Sequence, residues 1–274
     1  MTHSRPAAIL VAAGLLVLVC FPAPLRADEP LRLYAAGSLR RALTEVSAVF
    51  TEATGIRVEG TFGASGLLRE RLEGGERGDV FASADMDHPR RLAAQGRAGA
   101  VTVFTRNRLC ALARPGLTAT SEDLLHQMLD PAVRLGTSTP KADPSGDYAW
   151  AVFERAEALQ AGARAQLEAK ALMLTGGREA PAPSPTGRSV YTELIAKGAA
   201  DLVLTYCTNA AVSHQEMPET RVIELPPALS VGADYGVTAL TGSRQADAAR
   251  LIAFLLSSPG QAILRRHGFS SPGS

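Results

Sequence analysis

Apolar residues recur every three or four positions in some stretches of this chain and run continuously in others, and the two patterns alternate. Residues 39–54 carry Leu39, Leu43, Val46 and Phe50 at helical spacing, so one face of a helix is buried there. Residues 245–257 repeat the arrangement with Ala248, Leu251, Ile252 and Leu255. Short apolar runs predict strands at 31–36, 57–62, 80–83, 101–105, 108–113, 134–137, 202–205, 221–224 and 235–240. Helices are predicted at 39–54, 65–73, 86–95, 121–129, 146–159, 161–172, 189–197, 209–213, 245–257 and 259–267. Strand-then-helix alternation of this kind predicts an α/β protein with a mainly parallel sheet. Two stretches break the rhythm. Arg106-Asn107 separates two apolar runs as a hinge would, and 175–187 is a Gly/Pro-rich loop.

Four of the predicted helix starts carry polar groups. Ser38 follows the first strand in Ala35-Ala36-Gly37-Ser38, and Ser65 follows the second in Gly63-Ala64-Ser65-Gly66. Asp143-Pro144-Ser145-Gly146 opens a third helix, and Gly187-Arg188-Ser189 a fourth. Each residue has an ordinary role: serine and aspartate cap helices, proline suits a helix entrance, and arginine sits on surfaces. Together they suggest a ligand cradle. Ligands in open α/β sheets bind at the carboxyl ends of strands, where helix N-termini offer unpaired N–H groups and partial positive charge. Tyr206, ending the strand at 202–205, is either a packing residue or a well-placed hydroxyl donor.

The ends of the chain and its composition narrow the setting. Residues 1–27 read as an export signal: Arg5, an apolar run from Ala7 to Phe21, then Ala23-Pro24-Leu25-Arg26-Ala27 for cleavage. Cys20 lacks the small preceding residue of a lipidation site, so lipid anchoring is not expected. A periplasmic location is expected. The formal charge of +1 gives no basic stripe for nucleic acid, and 5% aromatic residues give little to stack bases on. Cys110 and Cys207 remain after cleavage, as a disulfide or as two buried thiols.

Enzyme readings find little support. Gly66 follows Ser65 directly, which is not the spacing of a nucleophile elbow. No histidine stands in an evident acid or base setting. Asp85-Met86-Asp87-His88 resembles a metal motif, yet acidic residues at a helix start serve the helix equally well.

In the order and spacing of its motifs the chain resembles the molybdate-binding proteins of bacterial ABC importers, within the periplasmic solute-binding proteins. The motifs are Ala35-Ala36-Gly37-Ser38-Leu39, Gly63-Ala64-Ser65-Gly66, Gly78-Asp79-Val80-Phe81-Ala82-Ser83-Ala84-Asp85, Asn107-Arg108-Leu109, Asp143-Pro144, Ala200-Asp201-Leu202 and Tyr206. Tyr235-Gly236-Val237, Gly260-Gln261-Ala262 and Gly268-Phe269 close the series. The resemblance implies a two-lobed type II fold with the cleft between lobes: lobe one from 28–105 plus 237–274, lobe two from 106–236. It implies contacts to molybdate or tungstate from the hydroxyl and N–H of Ser38 and Ser65, the N–H groups of Ser145 and Arg188, and the Tyr206 phenol. Molybdenum would be held as its oxyanion, not as a cation, and no cofactor is implied. Arg188 departs from the family, which has an apolar residue there; a shift of one would make Ser189 the donor. The implied partner is an inner-membrane permease, and a monomer is expected. A donor-only site favours proton-free molybdate, tungstate or sulfate over hydrogen phosphate, whose proton would need an acceptor such as Asp143 or Asp147. The alternatives are the same fold binding another small anion, sulfate included, or an exported serine hydrolase using Ser38 or Ser65.

Overall fold

A computed structural model describes Met1, 29–179, 187–242 and 244–273. The export-signal reading and part of the Gly/Pro-rich loop lie outside the described residues. The chain alternates as its pattern requires: β1 (Leu31–Ala36), α1 (Arg40–Thr54), β2 (Val58–Gly63), α2 (Ser65–Glu73), β3 (Val80–Ser83) and α3 (Asp87–Ala94). Then come β4 (Thr102–Ala113), α4 (Leu124–Leu129), β5 (Leu135–Ser138), α5 (Pro144–Leu159), α6 (Ala163–Lys170) and β6 (Leu172–Thr175). The remainder is α7 (Val190–Ala196), β7 (Leu202–Tyr206), α8 (Cys207–Glu216), β8 (Arg221–Glu224), β9 (Gly232–Ala239), α9 (Gln245–Leu256) and α10 (Ser258–Arg266).

The strands run in the order β2-β1-β3-β9-β4-β7-β5-β6, with β8 on β4. β1 pairs in parallel with β2 and β3, and β5 with β6 and β7. Parallel neighbours need crossovers, which the intervening helices supply while covering the sheet faces. That is why β3 and β7 are buried along their whole length. α1 buries Ala42, Leu43, Val46 and Phe50 and stops at Gly55, whose φ of 73° suits glycine.

β4 joins the two halves of this sheet. From Thr102 to Arg108 it pairs antiparallel with β9; from Leu109 to Ala113 it pairs with β7 and from Cys110 with β8. The strands expected at 101–105 and 108–113 are therefore one strand, and Arg106-Asn107 does not interrupt it. The reason is local. Arg106 reaches out to Asp234 at 2.7 Å, while the buried Asn107 amide donates to Thr208 Oγ1 at 2.9 Å. Both polar residues are satisfied, Arg106 by β9 and Asn107 by α8.

β6 was not expected. Its Leu-Met-Leu-Thr sequence continues a helical pattern, and as an edge strand it leaves Leu172 and Met173 exposed, so burial gives no period-2 signal. Cys110 and Cys207 form a disulfide, their Cα atoms 4.8 Å apart. It ties β4 to the first residue of α8, beside Tyr206.

Closing a loop across 97 residues of sequence restricts the unfolded chain. Cys110→Ser with Cys207→Ser should lower unfolding free energy by about 2–5 kcal/mol, read by denaturant melts of the oxidised wild type and the variant. Equal midpoints would show that the cross-link adds no stability.

Candidate functional site

The cleft between the two sheet halves encloses a cavity of about 640 Å³. Ser38, Phe62, Gly63 and Ala64 line it on one side; Asp143, Thr175, Gly176, Arg188 and Tyr206 line it on the other. Three of the five residues singled out in sequence, Ser38, Arg188 and Tyr206, thus meet around one space. Ser65 and Ser145 stand behind the wall, each almost fully buried.

Ser38 lies in the 3-10 turn Gly37–Leu39 that joins β1 to α1, not inside α1 itself. Its side chain caps no helix. Instead its Oγ sits 3.0 Å from the Tyr235 hydroxyl. Asn107 donates to that same phenol oxygen at 3.3 Å. A chain of side chains, Ser38–Tyr235–Asn107–Thr208, therefore runs from the end of β1 through β9 and β4 to α8. In sequence Tyr235 starts a predicted strand, Asn107 belongs to a hinge-like break, and both fall in family-like motifs, but neither stands out as a site residue. Their role depends on strand pairing that brings together positions 128 residues apart.

Ser65 begins α2 and is 0% exposed; its Oγ accepts the Ala84 N–H at 3.1 Å. That bond fixes the α2 entrance to the end of β3. Neighbouring Gly66 donates its N–H to Ala142 O at 2.9 Å. A Cβ on Gly66 would lie 2.5 Å from Lys141 O, so only glycine lets α2 approach the loop before α5 this closely. Two ion pairs cross the cleft as well: Arg41 with Glu216 at 2.6 Å, and Arg178 with Glu70.

α5 starts as its sequence predicts. Asp143 is the N-cap, its Oδ1 accepting from Ser145 N–H at 3.3 Å, with Pro144 in the first turn. The Ser145 Oγ is buried with no hydrogen-bond partner among the described residues. The Tyr206 hydroxyl is in the same condition. Tyr206 is 2% exposed, and its ring packs edge-on against Tyr148 and Tyr235 at centroid distances of 6.3 and 5.6 Å. Burial first, then the nearby Tyr235, hold its pKa well above the ordinary phenol value, so it is a neutral donor at physiological pH. Buried hydroxyls without partners are uncommon; among the described residues Thr137 and Thr175 carry two more, and of these Thr175 lines the cavity.

Arg188 lines the cavity just before α7. The alternative donor, Ser189, is already engaged: its N–H donates to Glu216 Oε2 at 2.8 Å, and its Oγ accepts from Tyr191 N–H. Thr192 also donates to Glu216 at 2.8 Å. Asp85 accepts from Ser83 Oγ at 2.7 Å and from His88 N–H, so the Asp-Met-Asp-His segment serves the start of α3. Asp143 is the acidic wall residue that a donor-only site does not contain. Burial pushes its carboxyl upward, against hydrogen bonds from Ser138 and the Ser145 N–H that favour the ionised form.

A two-lobed α/β cleft whose wall collects strand-end hydroxyls is the architecture of a solute-binding protein, and the type II fold follows from this topology. The chain belongs to the bacterial extracellular solute-binding protein family, whose model matches residues 31–270. A relative, an uncharacterized protein of Pasteurella multocida (strain Pm70), is 37% identical over 241 residues, covering 87% of this chain and 98% of the relative. The periplasmic molybdate-binding protein of Azotobacter vinelandii superposes with a TM-score of 0.68 at 20% identity, over 88% of this chain and 99% of that one. The sulfate-binding protein SubI of Mycobacterium tuberculosis H37Rv gives 0.73 at 16% identity, over 89% and 87%. At such identities the two structures share the fold. Members of this class bind solutes for transport; they are not enzymes as a class.

All 5 tyrosines of the chain have raised pKa values, Tyr34 to about 12 and the others by burial first of all. The unfolded chain releases phenolic protons near pH 10, while the native one holds them. Stability should therefore fall as pH rises above about 10, and phenolate absorbance should appear together with loss of circular dichroism. Phenolate rising near pH 10 with the fold intact would contradict this.

Proposed function

We propose that this chain is the periplasmic capture component of an ABC importer and that its cargo is a tetrahedral oxyanion, molybdate or tungstate. One observation carries the reading: Ser38 and Tyr206 line one interlobe cavity from its two sides, and the buried Tyr206 hydroxyl has no hydrogen-bond partner among the described residues. Ser145 adds a second buried, unpartnered hydroxyl at the start of α5, just behind the wall. A tetrahedral ion presents acceptors in four directions and so suits donors from several chain segments. Hydrogen bonds to an ionised group contribute about 1.5–3 kcal/mol each. Four would supply about 6–12 kcal/mol before desolvation losses, the scale of micromolar to nanomolar capture.

Closure is driven by differential contact. Ser38 in lobe one engages first, and hinge closure adds Tyr206, Arg188 and the start of α5 from lobe two. We place the hinge where β4 changes partners, between Arg108 and Leu109, and where the chain enters β9 at Gly232, close to the boundaries 28–105 plus 237–274 and 106–236. Export by residues 1–27, action as a monomer and delivery to an inner-membrane permease complete the proposal.

A second reading, the same fold holding sulfate or another small anion, is favoured by Arg188 and Asp143, which a neutral donor cage lacks. The hydrolase reading has less behind it. Ser65 Oγ is sealed within its lobe, and the partner of Ser38 is a phenol rather than a base.

Calorimetry with molybdate, tungstate, sulfate and phosphate should rank the proton-free anions first. Ser38→Ala and Tyr206→Phe should each weaken the preferred anion by about 10- to 150-fold, one charge-assisted bond apiece. Unchanged affinity in both variants would move the site elsewhere.

A further inference from the structure

Among the described residues lining the cleft, Asp143 is the only acidic one. It cannot easily turn away. Its Oδ1 accepts from Ser145 N–H, and its Oδ2 accepts from Ser138 Oγ at 2.6 Å. A Cβ on Gly176 would fall 2.5 Å from the Asp143 Cβ, and the left-handed φ of 74° keeps that position glycine, so the loop closes against the carboxyl from behind. The residue that caps α5 is thus fixed on the wall at which an oxyanion would sit.

A carboxylate beside a dianion in a partly desolvated cleft is a like-charge contact that disfavours both ionised forms together. Given the reading of the cleft as an oxyanion site, on which this inference rests, we propose that Asp143 couples capture to a single proton. That proton lies between its carboxyl and the bound anion. Solvent supplies it when the anion carries none, as molybdate does; the ligand brings it when the anion is hydrogen-bearing, as hydrogen phosphate is. No covalent bond changes; the proton passes from buffer to a carboxyl oxygen, which then donates to the anion. Asp143 is a specificity-determining residue in this scheme. Ionised, it is the acceptor that a hydrogen-bearing oxyanion needs; protonated, it is one more donor for a bare one.

The groups facing Asp143 do not remove the conflict. Asp147, one turn along α5, adds repulsion, and His88 on α3 opposes it. Tyr191 on α7 and Tyr206 on β7 are neutral phenols. Arg40, Arg41 and Arg188 line the same cavity and are the groups that could substitute for the proton, although Arg41 is already paired with Glu216. The direction of Asp143 itself agrees: burial raises its pKa, which favours the protonated carboxyl in this cleft. For a proton-free anion, affinity then falls as pH rises from the ordinary carboxylate range through the raised value.

The test is calorimetry on the mature chain with sodium molybdate and with inorganic phosphate, from about pH 6 to about pH 8.5, in two buffers of different ionisation heat. Molybdate binding should take up about one proton and weaken by up to tenfold per pH unit over the linked range. At the alkaline end, where hydrogen phosphate is the main form of inorganic phosphate, it should bind with little uptake. Asp143→Asn, which keeps a good helix cap, should bind molybdate without uptake and more tightly than wild type at the alkaline end, and should bind phosphate at least tenfold more weakly. The wild-type proton count stands without the variant, so a poorly folded Asp143→Asn leaves the test intact. Molybdate binding with no proton uptake and a flat pH profile would overturn the inference alone, with the lining arginines supplying the balancing charge. No binding of either anion at any pH would instead overturn the oxyanion reading beneath it.

Discussion

The Tyr206 hydroxyl ends a central strand, is excluded from water and has no hydrogen-bond partner among the described residues. Leaving such a group unpaired costs about 1–3 kcal/mol, and the surroundings hold it there instead of relieving it. Tyr206 sits opposite Leu109 in the β4–β7 ladder, precedes a disulfide-linked cysteine, and has aromatic rings on two sides. Its ring is therefore held in place before any ligand arrives, and a group already held in place loses less freedom on binding.

The same economy explains the way the lobes meet. β4 runs unbroken through both sheet halves, and it changes partner from β9 to β7 between Arg108 and Leu109. Contacts across the cleft among the described residues include a glycine N–H on a carbonyl, two ion pairs, and the polar chain from Ser38 to Thr208. Exposed ion pairs contribute little individually. Glu216 links one of these pairs to the wall, since it accepts from Arg41 across the cleft while holding Ser189 and Thr192 at the start of α7.

Much of this was legible in the sequence because it is local. The apolar stripe of α1, the Asp-Pro-Ser-Gly entrance of α5 and the strand-end placement of Ser38 and Tyr206 follow from nearest-neighbour chemistry. The rest depends on tertiary pairing. Nothing near Ser38 shows that Tyr235 will meet it, and nothing near Ser189 shows that Glu216 will occupy its N–H. Ser65 reads like Ser38 in sequence, yet β3 ends beside it and takes its hydroxyl for Ala84. Asp143 was legible as a cap and as a possible acceptor, but its bond from Ser138 and the close approach of Gly176 behind it were not, because they depend on how the 175–177 loop folds. β6 and the continuity of β4 were illegible for related reasons: an exposed edge strand has no burial period, and two polar residues are unremarkable in a strand once partners on β9 and α8 satisfy them.

The central claim is that hydroxyl donors from both lobes converge on one anion. Anomalous diffraction from crystals grown with tungstate tests it most directly, because the metal marks the centre of the ion. A single tungsten peak in the interlobe cavity, its oxygens within hydrogen-bonding reach of both Ser38 Oγ and the Tyr206 hydroxyl, is the expected result. A peak on the outer surface, or one in the cleft that touches neither hydroxyl, would contradict it.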